Sequence, residues 1–330
     1  MPKDFVSGFT SFANSLDTPF VREGLLFYFP QSSLVITLVP VSDFFHMSGR
    51  AENELCSLND ELFSVRDKLY LYEDRWFSNQ EIVKQRILAR LGRFKSVFAR
   101  KCSVVAVDGE ICRDVKSGKI CSQLSDMQIK DFIGRYHSYG YAKSKFRYAL
   151  VYGQKIVAAA AFSASRPMPR NISLGGDGGN AIGEPLLFDS FEWVRYVSLP
   201  DVRVVGGMGR LLKTFLNDVS LRNKCTRPVE VMSYSDEEWS DGNVYRSLGF
   251  EEVAKREPVS YYVKRISYER LSARKLAALL SDGLTAETGG QLPLMEQLAH
   301  PDDALLCKMA NMGYYPIKNR GSRKFLLQLP

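Results

Sequence analysis

A glycine-rich turn at residues 206–210 has the residue types that bind phosphate groups. Gly206-Gly207-Met208-Gly209-Arg210 follows an apolar segment and leads into residues whose apolar positions have helical spacing. Glycines let backbone N–H groups approach an anion because no Cβ stands in the way, and the positive end of the helix dipole favours negative charge. A sharp turn without a ligand also uses glycines, so the pattern alone leaves both interpretations open.

The elements around this turn are predicted from the types and spacing of their residues. Residues 188–197 are rich in aromatic and β-branched side chains, which predicts a strand before the turn. Residues 211–219 predict a helix after the turn, and residues 229–234 predict a second strand. Residues 243–250 predict a short helix that ends at Gly249. The predicted order is strand, turn, helix, strand, helix.

With these motifs the chain resembles the GNAT superfamily of acyl-CoA-dependent N-acyltransferases. Gly207-Met208-Gly209-Arg210-Leu211-Leu212 is similar to that family's turn for the CoA pyrophosphate, and Tyr245-Arg246-Ser247-Leu248-Gly249-Phe250 is similar to its helix end. The resemblance implies an α/β fold with a mixed, mainly antiparallel sheet flanked by helices. It implies acetyl-CoA or another acyl-CoA as cofactor, bound by Val197, Val205, Gly206, Gly207, Gly209 and Arg210.

A second resemblance concerns phage-type proteins. The chain is similar in pattern to phage DNA-modification acyltransferases of the Mom type and to related homing-endonuclease-like phage proteins. The similar stretches lie at residues 98–102, 132–140, 233–242, 258–263 and 313–315. This resemblance implies a nucleic acid, either DNA or RNA, or a nucleobase as the acceptor.

Four residues are candidates for acid–base chemistry in acyl transfer from a thioester to an amine. The resemblance implies that Tyr245 protonates the leaving thiolate and that backbone N–H groups of Val197 or its neighbours polarise the acyl carbonyl. Glu192 is the first candidate for the base, because its strand frames the expected cleft. Asp236 is an alternative base and His137 is a third. Tyr245 and His137 could instead be core residues, and Glu192 could form a structural ion pair.

Two clusters of basic residues are candidates for contact with nucleic acid. Arg100 and Lys101 end a run from Lys84 that contains no acidic residue. In the second cluster, Lys143, Lys145 and Arg147 alternate with aromatic residues that could stack on bases. The net charge of +7 allows a polyanionic partner. A solvated helix face and an ordinary hairpin are the structural alternatives for the two clusters.

Two other function classes are compatible with the sequence. A metal-dependent nuclease would need carboxylates that meet around a cation, and 236–241 supplies four of them at positions that do not all face one point. A non-catalytic nucleic-acid-binding protein with a GNAT-like fold would need only the basic clusters. The six cysteines lack the paired spacing of a zinc site, so no metal site is predicted.

Length and composition indicate a globular protein. The chain has 330 residues, 45% of them hydrophobic, and contains no run of eighteen apolar residues, so no membrane span is predicted. The N-terminus does not have the pattern of a secretory signal, and the cysteine spacing favours free thiols; both favour an intracellular, reducing compartment.

Three consecutive segments are predicted along the chain. They are a strand and helix extension at 1–95, a GNAT-like domain at 96–266, and a helical and stranded appendage at 267–330. Apolar spacing predicts a helix over 59–93 and one strand over 97–107. It also predicts a β-hairpin over 146–162.

Overall fold

The computed structural model describes residues 4–41, 67–170, 185–223, 227–288 and 291–329. The strands in these ranges are β1 (Val21–Glu23), β2 (Leu26–Phe29), β3 (Leu34–Val39), β4 (Asp67–Tyr72), β5 (Lys95–Phe98), β6 (Ser103–Asp108), β7 (Ile111–Asp114), β8 (Phe146–Tyr152), β9 (Lys155–Phe162), β10 (Arg166–Arg170), β11 (Leu186–Ser198), β12 (Val202–Val205), β13 (Val229–Asp236), β14 (Glu251–Arg256), β15 (Ser260–Lys264), β16 (Arg270–Ser272), β17 (Tyr314–Lys318) and β18 (Ser322–Leu329).

The α-helices in the same ranges are α1 (Phe5–Asn14), α2 (Glu73–Ser78), α3 (Gln80–Arg90), α4 (Asp126–Tyr136), α5 (Gly207–Asn223), α6 (Asn243–Ser247), α7 (Ala273–Thr288), α8 (Gln291–Ala299) and α9 (Asp303–Asn311). Short 3₁₀ turns occur at Pro30–Ser32 and Ala99–Lys101. Most strand pairs are antiparallel, so the predicted mixed α/β class is confirmed. None of the described helices combines the length and the hydropathy that a transmembrane span requires.

The chain divides into two compact units that are not consecutive in sequence. Unit 1 contains Met1–Gly92, Ser235–Asp241 and Lys255–Arg323, and unit 2 contains Arg93–Tyr234, Gly242–Ala254 and Lys324–Pro330. The division into three consecutive segments, at 1–95, 96–266 and 267–330, is based on residue patterns and stays a prediction.

Unit 1 contains two small sheets. The first has the order β1-β2-β3-β4, with β3 and β4 parallel, and the second has the order β16-β15-β17. The first sheet packs against α1, α2 and α3 through buried aromatic side chains, including Phe9, Phe27 and Trp76. Phe9 and Phe27 meet edge to face at 4.8 Å between ring centroids, a favourable geometry for aromatic pairs.

Most of the nine-stranded sheet belongs to unit 2. Its order is β14-β18-β13-β11-β9-β8-β6-β7, and β10 pairs with β11 at one end of that long strand. Strand β9 carries four consecutive buried alanines, residues 158–161, whose small side chains let helices approach both faces of the sheet. Helix α5 covers one face, where Phe215 stacks on Phe162 at 3.9 Å between ring centroids. Helix α4 covers the other face through Ile129 and Ile133.

Two local predictions are wrong, and both errors come from distant packing. Asp67–Tyr72, inside the predicted helix over 59–93, forms strand β4, because it pairs along its whole length with β3. Residues 59–66 lie outside the described residues. The predicted strand over 97–107 is two strands, β5 and β6, separated by the 3₁₀ turn at Ala99–Lys101. Strand β5 pairs with β12 instead of joining the large sheet. The predicted hairpin is confirmed as β8 and β9.

Candidate functional site

The glycine turn connects β12 to the N-terminus of α5. Gly206 has a φ of 74°, in the left-handed region that favours glycine. A Cβ on Gly207 would lie 2.6 Å from the hydroxyl oxygen of Tyr196 and 3.0 Å from Val204 Cγ1, so a larger residue does not fit without displacing a neighbour. The turn is thus shaped by close packing on its inner side. Helix α5 begins there and has no acidic residue in its first turn.

A pocket of about 560 Å³ opens beside this turn. It is lined by Phe98, Ala99, Arg100, Val205, Gly206 and Arg210. The guanidinium of Arg210 donates a hydrogen bond to the carbonyl oxygen of Ala99, which joins the start of α5 to the 3₁₀ turn after β5. The guanidinium carbon of Arg100 lies 4.9 Å from the centroid of the Phe98 ring. The lining contains two cationic side chains and no carboxylate, which makes the pocket suited to an anion.

Strands β11 and β13 pair in parallel over only part of their length. Asp189 to Glu192 pair with Val229 to Met232. From Trp193 onward β11 pairs with β9, with an irregularity between Trp193 and Arg195. The carbonyl oxygen of Trp193 accepts a hydrogen bond from the Ser233 hydroxyl at 3.1 Å, a side-chain bond at the point where the backbone pairing stops. The two strands therefore separate beyond Glu192 and Met232.

Tyr245 lies at this separation. It belongs to α6, and its hydroxyl is 2.9 Å from Ser233 Oγ. The Ser233 hydroxyl has one proton to donate, and both the Trp193 carbonyl oxygen and the Tyr245 oxygen lie within hydrogen-bond distance of it. The ring packs on Phe325 at 5.1 Å between centroids and on Phe250 at 5.6 Å. Burial raises the pKa of the Tyr245 phenol, and the bond with Ser233 opposes this change. Tyr245 is thus a protonated acid at neutral pH.

Glu192 occupies the opposite face of the sheet. Its neighbours Phe191 and Trp193 point into the core beneath α5, so the alternation along a strand directs Glu192 to the α4 side. Its side chain is 28% exposed, and one carboxylate oxygen lies 3.6 Å from Arg166 Nη2. The structure thus places the predicted acid and the first predicted base on the two faces of β11, both close to where it leaves β13.

The predicted base His137 is on the α4 side as well. It is the C-terminal cap of α4, and its Nδ1 accepts a hydrogen bond from the backbone N–H of Tyr139 at 3.2 Å. The loop after His137 reaches β11 through Arg195, whose Nε donates to the carbonyl oxygen of Gly140 at 2.9 Å. Burial lowers the pKa of Arg195, and the charge of Glu192 opposes this effect. Arg195 therefore connects the strand of Glu192 with the loop of His137. Val197, the predicted donor to the acyl carbonyl, lies opposite Ala159 in the ladder with β9.

Asp236, the alternative base, belongs to unit 1. Its carboxylate accepts a hydrogen bond from the backbone N–H of Glu238 at 3.0 Å and so forms a tight turn. Glu237 binds Arg323 at 2.8 Å, and Glu238 binds Arg270 at 2.7 Å. These acidic side chains therefore have structural partners. Among the described residues, no three His, Cys, Asp or Glu side chains form a group that could hold a metal ion.

The basic candidates differ in their surroundings. Arg147 is buried, and its guanidinium binds both carboxylate oxygens of Asp126 and the carbonyl oxygen of Ser144, so it presents no charge to a partner in this structure. Lys143 and Lys145 are exposed at the start of β8, and Arg100 and Lys101 are exposed near the pocket. These four exposed cations therefore stay available for a polyanion.

Two residues of the site are not predicted by the sequence patterns. Ser233 is a small polar residue at a core-facing position of β13, after the apolar Val229 and Val231, and that break in the pattern is a signal for it. Phe98 is an aromatic residue at the end of a strand and is 41% exposed. Its exposure depends on the 3₁₀ turn that follows it, and no local residue pattern indicates that turn.

Comparisons of the chain with protein-family models and with curated proteins find no match.

Proposed function

We propose that this protein is an acyl-CoA-dependent N-acyltransferase of the GNAT type, with an acceptor amine on a nucleic acid or a nucleobase. The observation that carries the proposal is the separation of β11 from β13 beyond Glu192 and Met232, with the Tyr245 hydroxyl at that point. In the GNAT family that the chain resembles, a splayed strand precedes the glycine turn, and a tyrosine lies on the helix after the next strand. In this chain the short strand β12 lies between β11 and the turn.

The pocket beside the glycine turn fits the phosphate end of the cofactor. Arg100 and Arg210 supply positive charge, and the first backbone N–H groups of α5 have no partner within the helix. An acyl-CoA supplies the acyl group and a thiol leaving group. The turn at Gly206 holds the pyrophosphate, since Gly206 lines the pocket and has no side chain that would keep the backbone away from it.

Two residues carry the proton transfers in this proposal. Tyr245 donates its proton to the leaving sulfur, and burial keeps the phenol protonated at neutral pH until that moment. Glu192 accepts the proton that the acceptor amine loses when the new carbon–nitrogen bond forms. Their positions on opposite faces of β11 are consistent with an acceptor that approaches from the α4 side.

The nucleic-acid part of the proposal is supported by the exposed cations Lys143, Lys145, Arg100 and Lys101. The same cations support a second candidate, a non-catalytic nucleic-acid-binding protein with this fold. A specific observation supports this second candidate. Two exposed arginines of unit 2 lie over phenylalanine rings, Arg100 over Phe98 and Arg203 over Phe94. Such pairs are suited to stacking on bases. The two candidates differ in whether an acyl-CoA binds.

The test is a thermal-shift titration of the full chain with acetyl-CoA. A ligand that binds only the folded state stabilises it by about 2.7 kcal/mol at one hundred times its Kd. We expect Arg210→Ala to lose this stabilisation. We expect Arg135→Ala to keep it, because Arg135 is an exposed arginine on α4, which covers the other face of the sheet.

The melting temperature of each variant with ligand is compared with that of the same variant without ligand. This comparison separates the effect of ligand binding from the stability lost when the Arg210 bond to Ala99 is removed. A shift that is equal in Arg210→Ala and the parent chain, or no shift at millimolar acetyl-CoA, would contradict the acyltransferase. In the second case, salt-dependent binding of an oligonucleotide would support the non-catalytic candidate.

A further inference from the structure

The wall of the pocket that adjoins the glycine turn has a composition that phosphate binding does not require. Phe98 is 41% exposed although it is a large apolar side chain, and Val205, its partner in the pairing of β5 with β12, is equally exposed. Arg100 stacks on the Phe98 ring at 4.9 Å. A site for phosphate alone needs donors and positive charge, whereas this wall presents a flat ring and a flat guanidinium to the cavity.

We propose that Phe98 and Arg100 bind the purine base of an adenine nucleotide, namely the nucleotide end of the acyl-CoA. The inference rests on the proposed function, because it assigns the phosphates of the same ligand to the turn at Gly206. Aromatic rings and arginine planes are the side chains on which bases stack. The volume of about 560 Å³ is within the range of small-molecule sites, and the two guanidiniums complement the charge of a nucleotide.

The local backbone explains why these side chains face the cavity. Strand β5 pairs with β12 in parallel, with Phe98 opposite Val205, and the chain then turns at Ala99–Lys101. Arg210 fixes that turn through its bond to the carbonyl oxygen of Ala99. Phe98, Arg100 and the phosphate turn therefore line one pocket, and Arg210 joins the start of α5 to the 3₁₀ turn between Phe98 and the next strand.

The experiment measures the binding of adenosine 3′,5′-bisphosphate, which is the nucleotide end of CoA without its thiol arm, by isothermal titration calorimetry. We expect Phe98→Ala to weaken its binding by about 5- to 150-fold, the effect of removing one aromatic stacking partner. We expect Phe98→Tyr to bind as the parent chain does. The matched control is Tyr152→Ala, since Tyr152 is an aromatic residue of unit 2 that is 47% exposed and lies outside the pocket lining.

The outcomes separate this inference from the proposed function. If the bisphosphate binds and depends on Phe98 while acetyl-CoA causes no thermal shift, the nucleotide site stands and the acyltransferase does not. If acetyl-CoA binds equally to the parent chain and to Phe98→Ala, the base wall is wrong and the acyltransferase stands. If a single-stranded oligonucleotide binds in a Phe98-dependent way and the bisphosphate does not, the wall belongs to a nucleic acid and the inference is overturned.

Discussion

The hydroxyl of Tyr245 combines two properties that a general acid requires. Its surroundings are apolar rings, which raise the pKa of the phenol, and a hydrogen bond with Ser233 holds its oxygen in place. Replacing the hydroxyl by hydrogen leaves the ring packing against Phe325 and Phe250 in place. The role of this residue can therefore be tested with little change to the core around it.

We predict that Tyr245→Phe reduces the rate of acyl transfer by about 100-fold or more, because the leaving thiolate loses its proton donor. The cost in unfolding free energy should be only about 1 kcal/mol, the usual value of one hydrogen bond. Loss of rate through titration of this acid should occur at higher pH than for an ordinary phenol, because burial raises the pKa of Tyr245. CoA release measured by chromatography, and denaturant unfolding, give the two quantities.

Tyr262→Phe is the matched control for this prediction. Tyr262 is also buried and donates one hydrogen bond, to the carbonyl oxygen of Leu298 at 2.8 Å in unit 1. It should cost similar stability and leave acyl transfer unchanged. Equal transfer rates in the two variants would remove Tyr245 from the mechanism.

Among the elements, the turn before α5 shows how packing decides which glycines are required. A Cβ added to Gly207 would lie 2.6 Å from the Tyr196 hydroxyl, and the ring of Tyr196 is too stiff to move away easily. At Gly209 the nearest atom to such a Cβ is a methyl carbon of Leu248, at 3.2 Å, and a leucine side chain can shift by that small amount. Two glycines in the same helix start therefore have different tolerances.

We predict that Gly207→Ala lowers the unfolding free energy by about 1–3 kcal/mol through overpacking and weakens acetyl-CoA binding. Gly209→Ala should be neutral, or more stable by up to about 1 kcal/mol, because alanine is the better helix former. The double variant Gly207→Ala with Tyr196→Phe should recover part of the loss, since the contacting oxygen is gone while the contact with Val204 at 3.0 Å stays. Denaturant unfolding of the parent chain and these variants tests this, and an undiminished loss in the double variant would contradict the assigned contact.

The elements around the site differ in how much of their structure is local in the sequence. The glycine turn, β11, β13 and the tyrosine helix follow from short patterns, and the sequence predicts them. At β4 the local pattern predicts a helix, but the segment is a strand. Pairing with β3, which is distant in the sequence, decides its structure. The site follows the same rule. A local motif predicts Tyr245, whereas the bonds from Ser233 to Trp193 and from Arg147 to Asp126 join residues that no local pattern relates.

For the molecule as a whole, a buried ion network holds together the separate chain segments of unit 1. Arg270 of β16 binds both carboxylate oxygens of Asp74 in α2, at 2.8 and 2.9 Å, and Glu238 of the segment 235–241 at 2.7 Å. All three side chains are buried. Asp74 and Arg270 together are neutral, so an ionised Glu238 adds a negative charge that this pair does not compensate. Its Oε2 has no hydrogen-bond partner among the described residues.

Burial raises the pKa of Glu238 to about 7, and the charge of Asp236 adds to this rise, whereas Arg270 and Arg75 oppose it. An acid whose pKa is higher in the folded state stabilises that state below its unfolded pKa. This contribution to the stability of the whole protein is complete below pH 4.5 and is lost as the pH rises through about 7. The size of the effect is on the order of 3 kcal/mol at most.

We predict that Glu238→Gln removes this pH dependence, because glutamine is a neutral side chain of the same shape that can still accept the bond from Arg270. The unfolding free energy of the parent chain minus that of the variant should fall between about pH 5 and pH 8. Glu296→Gln, at an exposed position of α8, should leave the dependence unchanged. Asp74→Asn should destabilise by about 3–5 kcal/mol near pH 5, because buried Arg270 then loses the carboxylate that accepts two of its hydrogen bonds. If the difference in unfolding free energy between the parent chain and Glu238→Gln is flat or rises with pH, the prediction is wrong. Glu238 would then be ionised in the folded protein, as a second carboxylate beside the pair of Asp74 and Arg270.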